Sequence, residues 1–187
     1  MISGVVLAAG TGSRFGGTKQ IVVVEGKPLA QHAIDTLSQA GVDEIVVVTG
    51  HDAVRVASAL TLPANARIVY NPAFKDGQST SLAAALHALD DESEGAVVLM
   101  ADQPGVATDV VRWLVERFLA TRKQIVRATY RDGPGPSLLS REIYGEAGHL
   151  TGDVGARELV ASHPDWVEEV QIHGSAPVDI DAPHDLR

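Results

Sequence analysis

The stretch "LAAGTGSRFGGTK", residues 7–19, overlaps the end of a short apolar run at residues 2–7. It holds four glycines, one arginine, one lysine and no carboxylate, in a chain whose formal net charge is −9. In an open parallel sheet, ligands bind outside the carboxyl ends of the strands. A glycine loop placed directly after a first strand therefore lies where a ligand is expected. Gly10 and Gly12 can take backbone angles closed to other residues and let N–H groups approach an anion. Arg14 and Lys19 add full positive charges that can pair with phosphate oxygens. The plainer alternative is a loop that is only flexible, and two cations without an acid argue against it.

Outward from the loop, apolar β-branched runs recur at residues 44–49, 67–70, 96–100 and 124–129, each short enough for a buried strand. Helical spacing fills the intervals. Pro28 suits a first helical position, and Leu29, Ala33, Ile34 and Leu37 form a stripe that ends near Gly41. "HDAVRVASAL", residues 51–60, continues as a second helix. Ser79 can cap a third, with Leu82, Leu86 and Leu89 on one face, and Thr108 a fourth through Val111, Leu114, Val115 and Phe118. Strand and helix alternate as far as Tyr130. This predicts a three-layer α/β fold, a mainly parallel sheet with helices on both faces, with α+β as the alternative. Beyond it, "RDGPGPSLLS" reads as a Gly/Pro turn and a short extended piece. Two helices are expected around Glu142 and Arg157, and late strands at "WVEEVQI" and "VDID". There is no repeat and no long linker, so residues 1–187 read as a single domain.

Composition narrows the function classes. A chain that is 45% hydrophobic can bury one sizeable core, and the absence of cysteine excludes disulfides and thiolate metal sites. The N-terminus has no cationic segment before a long apolar run, so no signal peptide is expected. No apolar stretch approaches the roughly 20 residues of a membrane span. The acidic balance argues against duplex nucleic acid, whose binders neutralise phosphates with basic surfaces. It leaves room for one small polyphosphate. A cytoplasmic protein with neither nucleic-acid nor membrane partners is the expectation.

Two familiar phosphate loops fail narrowly. In G-x-G-x-x-G the third glycine should fall where Phe15 stands, and no helical stripe follows directly. In G-x-x-x-x-G-K-[ST], Gly12 and Gly17 are spaced correctly but Thr18 and Lys19 are reversed. The loop instead resembles the signature L-A-[AG]-G-x-G-x-R-[FM]-G-x-x-K of the MobA-like NTP transferase family, on the side of the molybdopterin cytidylyl- and guanylyltransferases. The resemblance implies a Rossmann-like fold of the nucleotide-diphospho-sugar transferase type. It also implies that Gly10, Gly12, Arg14 and Lys19 wrap the triphosphate of a nucleotide donor, against a strand end formed by Leu7, Ala8 and Ala9. The Ala-Ala form at Ala8 and Ala9 goes with cytidine nucleotides in that family.

Four further segments carry the resemblance. "GQSTSL", residues 77–82, is similar to the family's G-[QM]-x-x-S-[LV] segment, which reads the base; this implies base contacts for Gly77 and Ser81. Read from the residues alone, the segment is equally a helix cap, with free N–H groups awaiting partners. After the strand at 96–100 comes a lone carboxylate, Asp102. Magnesium takes one or two carboxylates plus phosphate oxygens and waters, whereas a turn-forming Asp is the plain alternative. The family's D-x-P pattern here implies a metal ligand at Asp102. Asp179 and Asp181, at i and i+2, share a face if extended, or are simply exposed acids at a sheet edge. The similar family ending D-[IV]-[DN]-x-P-x-D-L implies that Asp181 joins the metal. "GDVGAR", residues 152–157, resembles an element of the cytidylyltransferase branch, in which Asp153 is expected to cap a helix and Arg157 to reach an acidic substrate. One departure stands out: Pro136 replaces the histidine of G-x-G-H-P on the side of the second substrate.

The implied activity is a magnesium-dependent nucleotidyl transfer, with Arg14, Lys19 and Asp102 as the catalytic set. CMP passes from CTP to a small phosphorylated molecule such as the molybdopterin cofactor, releasing pyrophosphate, with a transient contact to a molybdoenzyme or its chaperone. The rivals are a guanylyltransferase with another second substrate, an NAD(P)-dependent oxidoreductase using the glycine loop, and a catalytically silent nucleotide-binding regulator. No metal-like spacing joins the seven histidines, and none is assigned to catalysis.

Overall fold

The structure, a computed structural model, describes residues 1–12 and 15–186. Its elements in chain order are β1 (Ile2–Ala8), β2 (Val23–Val24), β3 (Lys27–Pro28), α1 (Leu29–Ala40), β4 (Glu44–Thr49), α2 (Ala53–Ala59), β5 (Ala66–Tyr70), α3 (Gln78–Ala88), β6 (Gly95–Met100), α4 (Thr108–Thr121), β7 (Ile125–Tyr130), β8 (Gly133–Ser140), α5 (Tyr144–Gly148), α6 (Ala156–Ser162) and β9 (Val167–Gln171). No helix among the described residues is long and apolar enough to cross a membrane.

Seven strands form one sheet in the order β5-β4-β1-β6-β8-β7-β9. Its pairs are parallel except the two made by β8, which runs antiparallel between β6 and β7. The predicted alternation thus yields the predicted sheet. Both faces of the central strands are buried, so they read as continuous apolar runs. One core joins Val6, Ile45, Val47 and Leu99 to Ile34 and Leu37 of α1 and Leu114 of α4. The other joins Val5, Leu7, Val46 and Val98 to Leu82 and Leu86 of α3 and Leu159 of α6. Helix α1 lies so close to β1 that a Cβ on Gly4 would stand 2.8 Å from Leu37 Cδ1. It stops at Gly41, whose left-handed φ of 83° lets its N–H reach the carbonyls of Leu37 and Ser38.

Several local expectations are corrected. Pro28 is the N-cap of α1, one residue before the first helical position. Helix α3 begins at Gln78 with Gly77 as its N-cap, so Ser79 lies inside it; the Ser79 hydroxyl donates instead to the Gly152 carbonyl at 2.8 Å. Thr108 is the first residue of α4 after the N-cap Ala107 and does not cap it. Asp153 does not cap α6, whose N-cap is Gly155. Residues 133–140 form a full strand rather than a turn with a short tail. Pro134 and Pro136 are tolerated because β6 pairs with β8 only over Ser137–Ser140, so the proline half has one unpaired edge where a missing N–H costs little. "VDID" is not a strand; its Ile180 N–H binds the Asp102 carbonyl at 2.9 Å and joins no sheet ladder.

Strands β1, β4 and β6 end at one edge of the sheet, and antiparallel β8 starts there. That edge gathers the glycine loop, the segment leading into α3, the turn holding Asp102 and the C-terminal acids.

Candidate functional site

The glycine loop leaves β1 through Ala9, whose carbonyl accepts the His51 N–H at 3.2 Å. Gly12 takes φ +60°, and a Cβ there would lie 2.3 Å from the Gly17 carbonyl oxygen. Its carbonyl accepts the N–H groups of Phe15 and Gly16 at 2.9 and 3.1 Å. Buried Gln20 donates Nε2 to the Gly10 carbonyl at 2.7 Å, and the Thr18 hydroxyl donates to Asp52 at 2.6 Å. The loop is therefore tied down on both sides. Arg14 lies outside the described residues.

Lys19, at the start of a single 3-10 turn, aims its ammonium across the sheet edge. Its Nζ donates to Asp102 Oδ2 and Asp181 Oδ1, each at 2.9 Å. Burial disfavours the ammonium, but hydrogen bonds and Coulombic attraction from Asp102 and Asp181 outweigh it and hold the Lys19 pKa above its ordinary range. Asp102 is delivered by β6; Asp181 is delivered by the C-terminal segment, which Asp185 braces by accepting the N–H groups of Asp181 and Ala182 at 2.9 and 2.8 Å. Those backbone donors hold the partly buried Asp185 carboxyl below its ordinary pKa. Asp179 diverges from Asp181 and accepts from Gln103 Nε2 at 2.7 Å.

Two carboxylates thus converge on one cationic point, 83 and 162 residues from Lys19 in sequence. The donor set fits a hard divalent cation that keeps its other positions for phosphate and water. Among the described residues no group of three or more His, Cys, Asp or Glu forms a closed cage. An open two-carboxylate site is the form such a cation takes beside a polyphosphate.

A cavity of 530 Å³ opens beside the loop, lined by Leu7, Ala9, Gly10, Gly77 and Ser81 among others. These five expected residues are brought together. Ala8 instead turns into the core against α1, and neither Gly12 nor Lys19 lines that cavity. Gly77 has φ +114°, and a Cβ on it would stand 2.1 Å from the Gly152 oxygen, so this glycine is required by a close backbone crossing. The Ser81 hydroxyl is fixed by Asn71, whose Nδ2 donates to Ser81 at 3.0 Å and to Thr80 at 2.9 Å. A second cavity of 370 Å³ spreads over β6, β8 and β7, lined by Asp102, Arg127, Pro136 and Arg157 among others. Leu7, Gln78, Met100 and Asp153 line both cavities and form the wall between them.

Sequence reasoning missed Gln20, Asn71 and Asp185. Asp185 lies within the family-like C-terminal stretch and could have been found there; the other two carry no local signal. The histidines are expected from the sequence to be exposed and solvated, and His32 corrects this: it is buried, with a ring nitrogen 2.9 Å from the Val24 carbonyl.

The MobA-like NTP transferase domain matches residues 4–167. Nicotine blue oxidoreductase of Paenarthrobacter nicotinovorans is 33% identical over 163 residues, covering 86% of this chain and 75% of that protein. The bifunctional protein GlmU of Staphylococcus epidermidis is 30% identical over 126 residues, which are 65% of this chain and 27% of GlmU. The crystal structure of Rv0371c from Mycobacterium tuberculosis H37Rv superposes with a TM-score of 0.87 at 32% identity, covering 98% of this chain and 94% of that one. Its complex with manganese superposes at 0.83 and 31% identity, covering 98% and 95%. A domain match of that extent, with a relative 33% identical over most of its own length, means that the chain belongs to the MobA-like NTP transferase family, a nucleotidyltransferase family.

Proposed function

We propose that this chain is a magnesium-dependent cytidylyltransferase acting in the cytoplasm, which moves CMP from CTP to a small phosphorylated molecule such as the molybdopterin cofactor. A phosphate oxygen of that molecule attacks the α-phosphorus of the triphosphate in line, the bond to the β-phosphate oxygen breaks, and pyrophosphate leaves. The observation that carries the reading is the convergence of Asp102 and Asp181 on the Lys19 ammonium, at the edge where the two cavities share a wall.

In this reading the N–H groups of Gly10 and Gly12 cradle the triphosphate, and Lys19, with Arg14, neutralises the charge that builds on the leaving pyrophosphate. Gly77 and Ser81 meet the base, with Asn71 holding the Ser81 hydroxyl in place. Leu7, Ala8 and Ala9 supply the strand end behind the ribose. Asp102 and Asp181 hold magnesium, which when bound neutralises phosphate charge that the protein cations alone do not cover. Positioning and charge stabilisation suffice for such a transfer, so no activated Ser, Cys or His is needed. Cytidine as the base is supported by the Ala8-Ala9 form of the loop. A transient contact with a molybdoenzyme or its chaperone would then receive the product.

The test is incubation with each of the four triphosphates, magnesium and extracted molybdenum cofactor, followed by mass analysis. A CMP adduct and pyrophosphate are expected. A GMP adduct would correct the donor alone, and no adduct with any triphosphate would refute the molybdopterin transfer.

One observation favours a second reading: the 33% identical relative is named an oxidoreductase. Against NAD(P) as the loop's ligand, the loop runs into a 3-10 turn at Lys19–Ile21 and a small hairpin, and the next α-helix begins only at Leu29. A dinucleotide loop needs a helix N-terminus directly beneath the pyrophosphate. Saturable NADPH binding without magnesium, tighter than that of any triphosphate, would establish this second reading.

A further inference from the structure

The lining of the 370 Å³ cavity includes a serine that the transfer does not use. Ser137 stands on β8 between Val98 of β6 and Arg127 of β7 and pairs with both, so its backbone is held from two sides. Side chains alternate along a strand. Leu138 enters the core under α1 and α4 and Leu139 the core under α3 and α6, so Ser137 shares the Leu139 face. Leu82 and Val98, which belong to that same core, line the cavity beside it. Ser137 is buried, with 7% of its surface exposed. Its hydroxyl has no hydrogen-bond partner among the described residues, yet its oxygen is not sealed from solvent. Polar groups this deeply buried are nearly always hydrogen-bonded, and one that is free calls for a reason. A hydroxyl offers one donor and two acceptor positions, and all three are left for what enters the cavity.

The surrounding charge narrows the ligand. Among the described residues, four carboxylates line the cavity, Asp102, Asp153, Glu158 and Asp179, against two guanidiniums, Arg127 and Arg157. The Arg127 charge is already paired with Glu169 of β9, and Lys19 offsets Asp102 only at the reacting edge. A second anion on the ligand would therefore meet net like charge, which is costly, whereas a neutral polar group would not. Val98 lies two residues before Met100, the end of β6. Ser137 is thus on the order of 8 Å from that end, two residues' rise along the strand and one strand spacing across.

We propose that Ser137 is a specificity residue for the second substrate, its hydroxyl hydrogen-bonding a neutral hydroxyl or amino group of that molecule. The substrate class is a phosphorylated molecule about the size of one ring, with neutral polar groups on the order of 8 Å from the reacting phosphate and no second anion. The identity of the cavity rests on the transferase reading; the free hydroxyl and the surplus of carboxylates do not.

The chain has no cysteine, so Ser137→Cys introduces a single thiol. It is reacted with a cationic and an anionic methanethiosulfonate of similar size, each rate scaled to that of N-acetylcysteine. The thiol should be labelled in the folded chain, the cationic reagent reacting roughly tenfold faster after scaling. A thiol that stays unlabelled, or equal or faster reaction of the anion, would overturn the proposal. Glucose 1-phosphate and glucuronate 1-phosphate, which adds a carboxylate to the same ring, are then titrated calorimetrically with magnesium and a non-hydrolysable CTP analogue. The wild-type chain should bind glucose 1-phosphate more tightly than glucuronate 1-phosphate. Ser137→Ala should weaken glucose 1-phosphate about three- to tenfold, the scale of one neutral hydrogen bond. Ser137→Thr, which keeps the hydroxyl, should retain most of the affinity, with far-ultraviolet circular dichroism checking that each variant folds. Unchanged affinity in Ser137→Ala, tighter binding of the glucuronate, or no binding of either sugar phosphate would also overturn it. Binding of the CTP analogue, read separately, tests the transferase reading, and thiol labelling proceeds whether or not it binds, so either can fail alone.

Discussion

Replacing Lys19 by Met keeps the length of the side chain and removes the charge that joins two distant parts of the fold. The Lys19 side chain is 12% exposed and that of Asp102 22%, so this arm is a shielded, charge-assisted hydrogen bond of about 1.5–3 kcal/mol. The Asp181 side chain is 45% exposed, and solvent screening reduces that arm to about 0.5 kcal/mol. The sum, about 2–3.5 kcal/mol, corresponds to a fall of about 4–14 °C in Tm for a domain of this size. Calorimetry at neutral pH and low ionic strength measures it. Magnesium should then raise the Tm of the variant more than that of the wild type, because two carboxylates left facing each other bind a divalent cation and the folded state gains that binding energy. The pH limb gives an independent check. The folded pKa of Lys19 is raised above its ordinary 10.5, so its contribution is complete below that value and disappears as pH climbs through the higher folded one. On the alkaline side, the gap between wild type and variant should therefore persist up to pH 10.5 and close above it. A Tm change of less than about 1 °C, or an equal response to magnesium, would refute the account of Lys19 as the cation joining both acids.

Asp102→Ala should abolish magnesium-dependent turnover while the chain still melts cooperatively; retained pyrophosphate release would remove Asp102 from the site. Gly77→Ala should cost about 3 kcal/mol or more in urea unfolding, because the new Cβ meets the Gly152 oxygen at 2.1 Å with φ at +114°. Gly152→Ala, at φ +79° but facing open space, should cost only about 1 kcal/mol. At Asp35, burial would raise the carboxyl pKa, but hydrogen bonds from Lys27 and Gln31 hold it below the ordinary 3.8. Its contribution, about 0.5–1 kcal/mol, is present above that value and lost as pH falls through the lower folded one. The stability gap between wild type and Asp35→Asn should therefore be steady at neutral pH and close in acid.

Apolar runs and glycines carry their meaning locally, and this is why so much of the architecture is legible in the sequence. A run such as Glu44–Thr49 can bury both faces only inside a sheet covered on two sides, which is where β4 lies. Gly12 and Gly77 mark backbone that other residues enter only with strain, and both sit at positive φ beside the site. Capping is different, because a hydroxyl chooses between its own helix and whatever the fold brings near. Ser79 has the Gly152 carbonyl within reach, and Thr108 has Gln39, at 3.4 Å.

By itself, then, the sequence determined the alternating α/β plan and the placing of the glycine loop at a strand end, since these follow from periodicity and backbone freedom within a few residues, while Asp102 and Asp181 were singled out through the resemblance to the family. Only the tertiary structure decided that Lys19 stands between Asp102 and Asp181, that Asn71 fixes Ser81, and that Arg127 of β7 pairs with Glu169 of β9. Hydrogen bonds and ion pairs act over a few ångströms, and the partners in the acid–lysine cluster lie 83 and 162 residues apart along the chain, so no local pattern could announce them.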